Sequence, residues 1–378
     1  MSQKVNHQHV DVAFVLPSFR GGGAEISTIR LANQLAKHGY NVDCVALHAV
    51  GPFRERILPS VEVHDLRVRR ASLSVYAIAT YIRTYRPQIL VGNMSHINVA
   101  CVLATLISRL PIKLMLVEHN DYLASILDDG SWKDSPLRIM MRFTYPRATW
   151  IAAVSHGAAE SLEKALGLPK SSVHVLPNGI DLRSLKEEMR APLDHIWFLE
   201  QESVPVVTSI GRLVPQKGFL DLLFAFSILR SKMQVRLMII GEGIHRQLLE
   251  QRIKELELSK DVSLMGFVDK PLRYVARSDL YVLSSRYEGQ GVVLLEAMAC
   301  GVPIVATDCP SGPREVLAEG RAGLLVPVNS PQMLAKAMER MLRSSALRAQ
   351  VRRAASEEVK KFDVEMTLKR FLDIVGCR

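Results

Sequence analysis

Apolar residues in the first half of the chain fall into short runs separated by stretches with helical spacing. The run 10–16 leads into Gly21-Gly22-Gly23-Ala24-Glu25. Beyond it, Ile26, Ile29, Ala32, Leu35 and Ala36 recur at the three- and four-residue intervals of one helix face, and Gly39 follows where a helix end favours glycine. This predicts a strand, a glycine turn and a helix. The same reading predicts further strands at 42–47, 89–91, 114–117, 150–154 and 173–176. Between 181 and 204 the periodicity lapses into charge, which marks a linker and sets the expected boundary between a domain of residues 1–190 and one of 191–378. Strand patterns resume at 206–210, 235–240, 262–264, 280–283, 304–307 and 324–326. Alternating strands and helices give the α/β class, as two doubly wound, Rossmann-like parallel sheets in tandem. A last helical pattern at 364–375 is a candidate to return to the first domain.

Length supports this division, since 378 residues exceed what one core usually serves. A hydrophobic fraction of 48% with 23% charged residues describes an ordinary globular chain. Its apolar runs fall far short of the roughly 20 residues that cross a bilayer, and the polar stretch Met1 to His9 lacks a secretory core, so a cytoplasmic placement is expected. Five cysteines without a Cys-x-x-Cys pair point to reduced thiols and to no metal site. The formal charge of +10 is shared by both halves and comes with no nucleic-acid-binding motif. Phosphate ligands or an anionic membrane surface account for it better than a duplex does. Residues 123–147 interleave Leu127, Trp132, Met140 and Phe143 with Lys133, Arg138, Arg142 and Arg147, a pattern suited to an anionic bilayer and equally to an amphipathic helix packed on its own domain.

Open parallel sheets bind ligands beyond the carboxyl ends of their strands, so the residues that follow each strand carry the candidate chemistry. Gly22 and Gly23 leave room for an anion at a helix start. Gly211-Arg212 and Lys217-Gly218 follow the first strand of the second half, and their fork and point charge suit a diphosphate. The stretch Glu288-Gly289-Gln290-Gly291-Val292, then Glu296 within Leu294-Leu295-Glu296-Ala297-Met298, puts two carboxylates eight residues apart around a helix start. Glu296 suits a ribose diol and Glu288 the hydroxyls of a sugar, and a carboxylate in so apolar a stretch needs a partner. Glu118-His119-Asn120 follows a strand of the first half, with Asn93 and His96 after another. There His119 either donates a hydrogen bond to a ligand or only caps the sheet.

These residues resemble the retaining glycosyltransferases of the GT-B fold, family 4. The likeness runs through Gly22-Gly23-Ala24-Glu25, Glu118-His119-Asn120, Pro177-Asn178-Gly179, Gly211-Arg212, Lys217-Gly218, Gly241-Glu242-Gly243 and the pair Glu288 and Glu296 followed by Gly301-Val302-Pro303. The resemblance implies a second domain that binds a nucleotide sugar, with Gly243 and the glycines above at the donor and a UDP-sugar as substrate in place of any cofactor. It also implies a first domain that binds a glycan or polyprenyl-linked acceptor, and transfer without a metal, with Arg212, Lys217, Glu288 and His119 in catalytic positions. Residues 308–327 are similar to members that build bacterial surface polysaccharide or lipopolysaccharide at the inner face of the membrane, where peripheral contact is expected. Two rival readings stand beside this one. A nucleotide-dependent oxidoreductase or epimerase lacks here both Gly-x-Gly-x-x-Gly after the first strand and a Tyr-x-x-x-Lys pair. A non-catalytic polysaccharide-assembly protein would have lost some of the four charged residues, which are all present.

Overall fold

The computed structural model describes residues 9–68, 71–128, 136–199 and 204–376. The chain forms two compact units, one of residues 1–179 together with 364–378, the other Ile180–Asp363. No helix among the described residues is long and apolar enough to cross a membrane. Trp132, Lys133 and Cys377 lie outside the described residues, while Cys44, Cys101, Cys300 and Cys309 are free thiols.

The first unit holds β1 (Val12–Leu16), β2 (Val42–Ala46), β3 (Val61–Asp65), β4 (Ile89–Asn93), β5 (Lys113–Glu118), β6 (Trp150–Ala153) and β7 (His174–Val175). They form one parallel sheet in the order β3-β2-β1-β4-β5-β6-β7. The direction of strand order reverses between β1 and β4, which makes the carboxyl ends of these two strands a natural ligand position. Central strands β1, β2 and β4 are buried along their whole length; β1 reads as an unbroken apolar run, while β2 carries the buried Asp43 and β4 ends on the buried Asn93. Strand β3 is absent from the sequence expectation for a physical reason. It lies at the sheet edge, its sequence Val-Glu-Val-His-Asp alternates, and only Val61 is fully buried. On one face the sheet packs on helices Ala71–Tyr85, Ser95–Ser108 and His156–Leu166. On the other lie helix Gly23–Lys37 and the last helix, Val364–Val375, which buries Leu368, Phe371 and Val375.

The second unit holds β8 (Val206–Ile210), β9 (Arg236–Ile240), β10 (Val262–Gly266), β11 (Leu280–Leu283), β12 (Ile304–Thr307) and β13 (Leu324–Val326). Their parallel order, β10-β9-β8-β11-β12-β13, reverses between β8 and β11. Residues 181–199, the described part of the expected linker, belong to the second unit, which begins at Ile180 and so corrects the boundary at 190. Asp181 accepts hydrogen bonds from the backbone N–H of Arg183 and Ser184 and so caps helix Leu182–Met189, whose Leu185 is buried in the second unit's core. Glu188 accepts from the Leu272 N–H at 3.0 Å. The polar surface of this helix hides a single buried anchor, too little apolar signal for a periodicity to register.

Candidate functional site

Four loops meet at the carboxyl ends of β8, β9, β11 and β12, and backbone hydrogen bonds tie them together. After β8 and β9, Gly211 N–H donates to Ile240 O at 3.0 Å, Leu213 N–H to Glu242 O at 2.8 Å, and His245 N–H to Leu213 O at 2.9 Å. A Cβ at Gly241 would lie 1.9 Å from Gly211 O and one at Gly243 would lie 2.4 Å from Leu213 O, so both positions are glycine because two backbones touch there. The loop after β8 is joined to the loop after β11 by Arg286 N–H to Gln216 O at 2.8 Å, by the Gln216 amide to Tyr287 O at 3.0 Å, and by the Ser284 hydroxyl to Lys217 O at 2.8 Å. Glu288 N–H reaches Pro310 O, after β12, at 3.4 Å.

Within this rim Lys217 Nζ lies 2.6 Å from Glu288 Oε1, and the Ser285 hydroxyl donates to the same oxygen at 2.6 Å. Both side chains are largely withdrawn from water, 14% exposed for Lys217 and 7% for Glu288. The Lys217 stem passes over Gly211, where a Cβ would stand 3.4 Å from its Cγ and Cδ. The ammonium retains two further N–H donors and the carboxylate a second oxygen, so the pair can grip an anion and a hydroxyl at once. Arg212 is exposed and has no ion partner among the described residues. Gly289 and Gln290 are buried, and Gly291, at φ +83°, turns the chain into helix Val292–Ala299, which no side chain caps. Glu296 is half-buried one helical turn further on. The Tyr281 phenol, pushed up first by burial and further by the charges of Glu296 and Glu288, has both carboxylates as neighbours. Lys217 and Glu288, treated as separate candidates in the sequence, therefore form one unit, with Glu296 nearby. Ser285, Gln216 and Tyr281 escaped the sequence reading; only the doublet Ser284-Ser285 directly before Glu288 hinted at them.

In the first unit Gly22 is the N-cap of helix Gly23–Lys37, with no side chain capping it. Inside the same strand-end region His119 Nε2 lies 3.1 Å from Asn93 Oδ1, which also lies 3.1 Å from the Thr28 hydroxyl. The Asn93 amide nitrogen donates to Val15 O at 3.4 Å, which fixes its oxygen as the acceptor and puts the imidazole proton on Nε2. Burial, opposed by a hydrogen bond with the Asn178 side chain, holds the His119 pKa down at about 4. The ring is thus a neutral group whose N–H is already engaged. Beside it, Glu118 is buried and accepts from Asn98 and Ser95, each at 3.0 Å, and from the Tyr145 hydroxyl; burial pushes its pKa up despite these donors.

The low His119 pKa makes a prediction about stability. In the unfolded chain the ring binds a proton near pH 6.5 and in the fold only near 4. The unfolded state therefore takes up more protons between those values, and stability falls as pH drops through that window, by about 3 kcal/mol in all. Thermal unfolding of the wild type and of His119→Gln from pH 7 to pH 4 checks this: the variant loses most of that dependence, and parallel curves would remove His119 as its source.

Comparison with known proteins adds to this geometry. Residues 21–184 match the model for glycosyltransferase family 4 and residues 195–358 the model for glycosyl transferases group 1. The chain is 31% identical over 226 residues to the N-acetylgalactosamine-N,N'-diacetylbacillosaminyl-diphospho-undecaprenol 4-alpha-N-acetylgalactosaminyltransferase of Campylobacter jejuni, a match that spans 60% of this chain and 60% of that enzyme. Over 99% of both chains it is 27% identical to the lipopolysaccharide core biosynthesis glycosyltransferase LpsE of Rhizobium meliloti. The fold superposes on the Anabaena protein HepE, solved with UDP and glucose, with a TM-score of 0.79 at 22% identity, covering 97% of this chain and all of that one. With two successive family matches spanning most of its length and a doubly wound unit under each, the chain belongs to the GT-B glycosyltransferases of family 4.

Proposed function

We propose that the protein is a retaining, metal-independent glycosyltransferase that moves a hexose or N-acetylhexosamine from a UDP-sugar to a glycan on a polyprenyl diphosphate or other lipid carrier, in the assembly of surface polysaccharide or glycolipid. The observation that carries the reading is the Lys217–Glu288 pair, withdrawn from water at the point where strand order reverses, with Arg212 in the same loop. Cations fixed where a diphosphate departs stabilise charge as it develops, at no cost in reorganisation. In the reaction the acceptor oxygen bonds to the anomeric carbon on the face that the diphosphate leaves. The carbon–oxygen bond to the diphosphate breaks, its electron pair stays on the phosphate oxygen, and that oxygen takes the acceptor's proton. Lys217 and Arg212 neutralise the leaving group, Glu288 holds sugar hydroxyls, and Glu296 holds the ribose diol. His119, neutral near pH 7 with its Nε2–H engaged by Asn93, lends no proton to the reaction.

The acceptor class follows the names of similar enzymes, one acting on a diphospho-undecaprenol glycan and one in lipopolysaccharide core synthesis. Support for UDP comes from the Anabaena structure that holds it. Calorimetric titration with UDP, GDP and ADP in the presence of EDTA tests the donor assignment. UDP alone binds tightly, and Glu296→Gln weakens it by about tenfold or more, the loss expected when a charged hydrogen bond is removed. NMR of the product from an α-linked donor then shows an α linkage. An inverted linkage, or binding abolished by EDTA, overturns the proposed mechanism; a well-folded protein that binds no diphosphate is the outcome expected of a non-catalytic assembly protein.

A further inference from the structure

Ten non-glycine residues among those described have a positive φ, and nine of them lie between 49° and 63°, in the small left-handed well. Met94 departs from the rest, with φ at 79° and ψ at 144°, close to a region that only glycine enters without strain. It stands directly after β4, at the reversal of strand order between β1 and β4. Two anchors fix the chain on either side of it. Before it, the buried Asn93 donates to Val15 O at 3.4 Å and lies 3.1 Å from His119 Nε2. After it, the Ser95 hydroxyl and the amide of the buried Asn98 each donate to Glu118 at 3.0 Å. Met94 itself donates its N–H to Val117 O at 3.2 Å, and its carbonyl accepts from Asn98 N–H at 2.8 Å. Asn93 and the buried Glu118 carboxyl thus keep Met94 in a conformation that the backbone would otherwise leave.

Local structure gives no reason for methionine here, since glycine would relieve the strain. Packing gives none either. The side chain is half-buried, and it packs against neither large hydrophobic cluster of the first unit. Strain that the surroundings maintain in order to present one particular side chain is characteristic of ligand contacts. A thioether on a flexible, unbranched stem offers a soft apolar surface that adapts to what it meets. His96 and Asn120, both exposed on the segments that follow the paired strands β4 and β5, supply hydrogen-bonding groups at the same sheet end. Apolar contact bordered by a few polar groups matches a pyranose ring, which turns C–H bonds to one face and hydroxyls outward.

We propose that the Met94 side chain contacts the apolar face of the acceptor's terminal sugar, and that Asn93 and Glu118 are positioning residues that hold Met94 for this contact. The inference rests on the transfer reading above for naming this sugar as the acceptor, and deepens it by assigning a residue that selects it. The strain at Met94 and its contact with a sugar are measurable without any transfer reaction.

Scanning calorimetry of the full chain tests the strain. Met94→Gly raises the melting temperature by about 2 to 4 °C, because the strain released outweighs the extra freedom of glycine in the unfolded chain. Met94→Ala keeps the costly backbone and removes a side chain that packs on no core, so it melts within about 1 °C of wild type. The contact is tested with 13C-labelled methionine methyls, titrating the full chain with the methyl α-glycosides of glucose, galactose, N-acetylglucosamine and N-acetylgalactosamine. At least one of them shifts the Met94 resonance, assigned with Met94→Leu, and leaves that of the buried Met115 in place. In transfer from a UDP-sugar to N-acetylgalactosamine on farnesyl diphosphate, Met94→Ala and Met94→Gly raise acceptor KM by about tenfold. Met94→Leu recovers it to within about threefold, and the loss falls on acceptor KM, not on kcat or UDP affinity. Met94→Gly that melts below wild type, glycosides that leave the Met94 methyl unmoved, or an acceptor KM unchanged in both truncations overturns the proposal. Wild type whose Met94 responds to a glycoside but which transfers no sugar keeps this inference and loses the reaction proposed above.

Discussion

Lys217→Met lowers kcat for sugar transfer by about 10²- to 10³-fold, the loss typical when one fixed stabiliser of developing negative charge is removed. The same substitution strands Glu288, 7% exposed, with the Ser285 hydroxyl in place of an ammonium. Breaking a buried pair from one side costs about 3 kcal/mol, which for a unit of this size lowers its melting temperature by about 6 to 12 °C. Activity and stability separate in the double variant. Lys217→Met/Glu288→Gln removes the uncompensated charge and recovers most of the melting temperature, yet it remains without its cation and stays slow. Steady-state kinetics and scanning calorimetry on the three proteins check both halves. A single variant that turns over within tenfold of wild type would show that the diphosphate leaves without help from Lys217.

Gly218→Ala carries the second large effect. Gly218 sits at φ +60°, and a Cβ there would lie 2.1 Å from the carbonyl oxygen of Ser284, an atom of the backbone that cannot swing aside. Backbone strain and forced separation of the two loops together cost about 3 kcal/mol or more. Because this contact fixes the loop that carries Lys217, UDP affinity falls with it, by about tenfold or more. Gly301→Ala is the matched control: φ is +68°, but nothing lies within 4 Å of the added carbon. It pays only the left-handed backbone cost of about 1 kcal/mol. Equal melting losses in the two variants would sink the steric account and leave conformational strain alone.

The sequence disclosed what has a local signature. Buried central strands are rich in β-branched and aliphatic residues, so β1, β8, β11 and β12 stand out from their neighbours, and Gly218 and Gly291 mark turns because each takes a left-handed φ that favours glycine. Strand β3 lacked that signature because an edge strand alternates with solvent, and helix Leu182–Met189 lacked it because it buries one residue. Which side chains meet was harder to read. Lys217 and Glu288 are 71 residues apart, and only the adjacency of β8 and β11, a property of strand order, brings them within 2.6 Å. The engagement of His119 by Asn93 depends in the same way on β4 lying beside β5. Residues 123–147 suggested either a packed helix or a membrane face. The structure gives helix Pro136–Thr144 a packed inner side and an apolar outer one.

The division of the chain into units has a consequence for its synthesis. Residues Ile180–Asp363 are continuous, whereas the other unit needs both the first 179 residues and the last helix, whose Phe371 is wholly buried and stands 6.2 Å from Phe14 across that core. As the ribosome delivers the chain from its amino end, the unit begun second is the first to have all its parts. The unit begun first waits, with one apolar face covered only in part by helix Gly23–Lys37, until translation has released helix Val364–Val375. A nascent chain stalled before Val364 therefore presents a finished second unit and an unfinished first one.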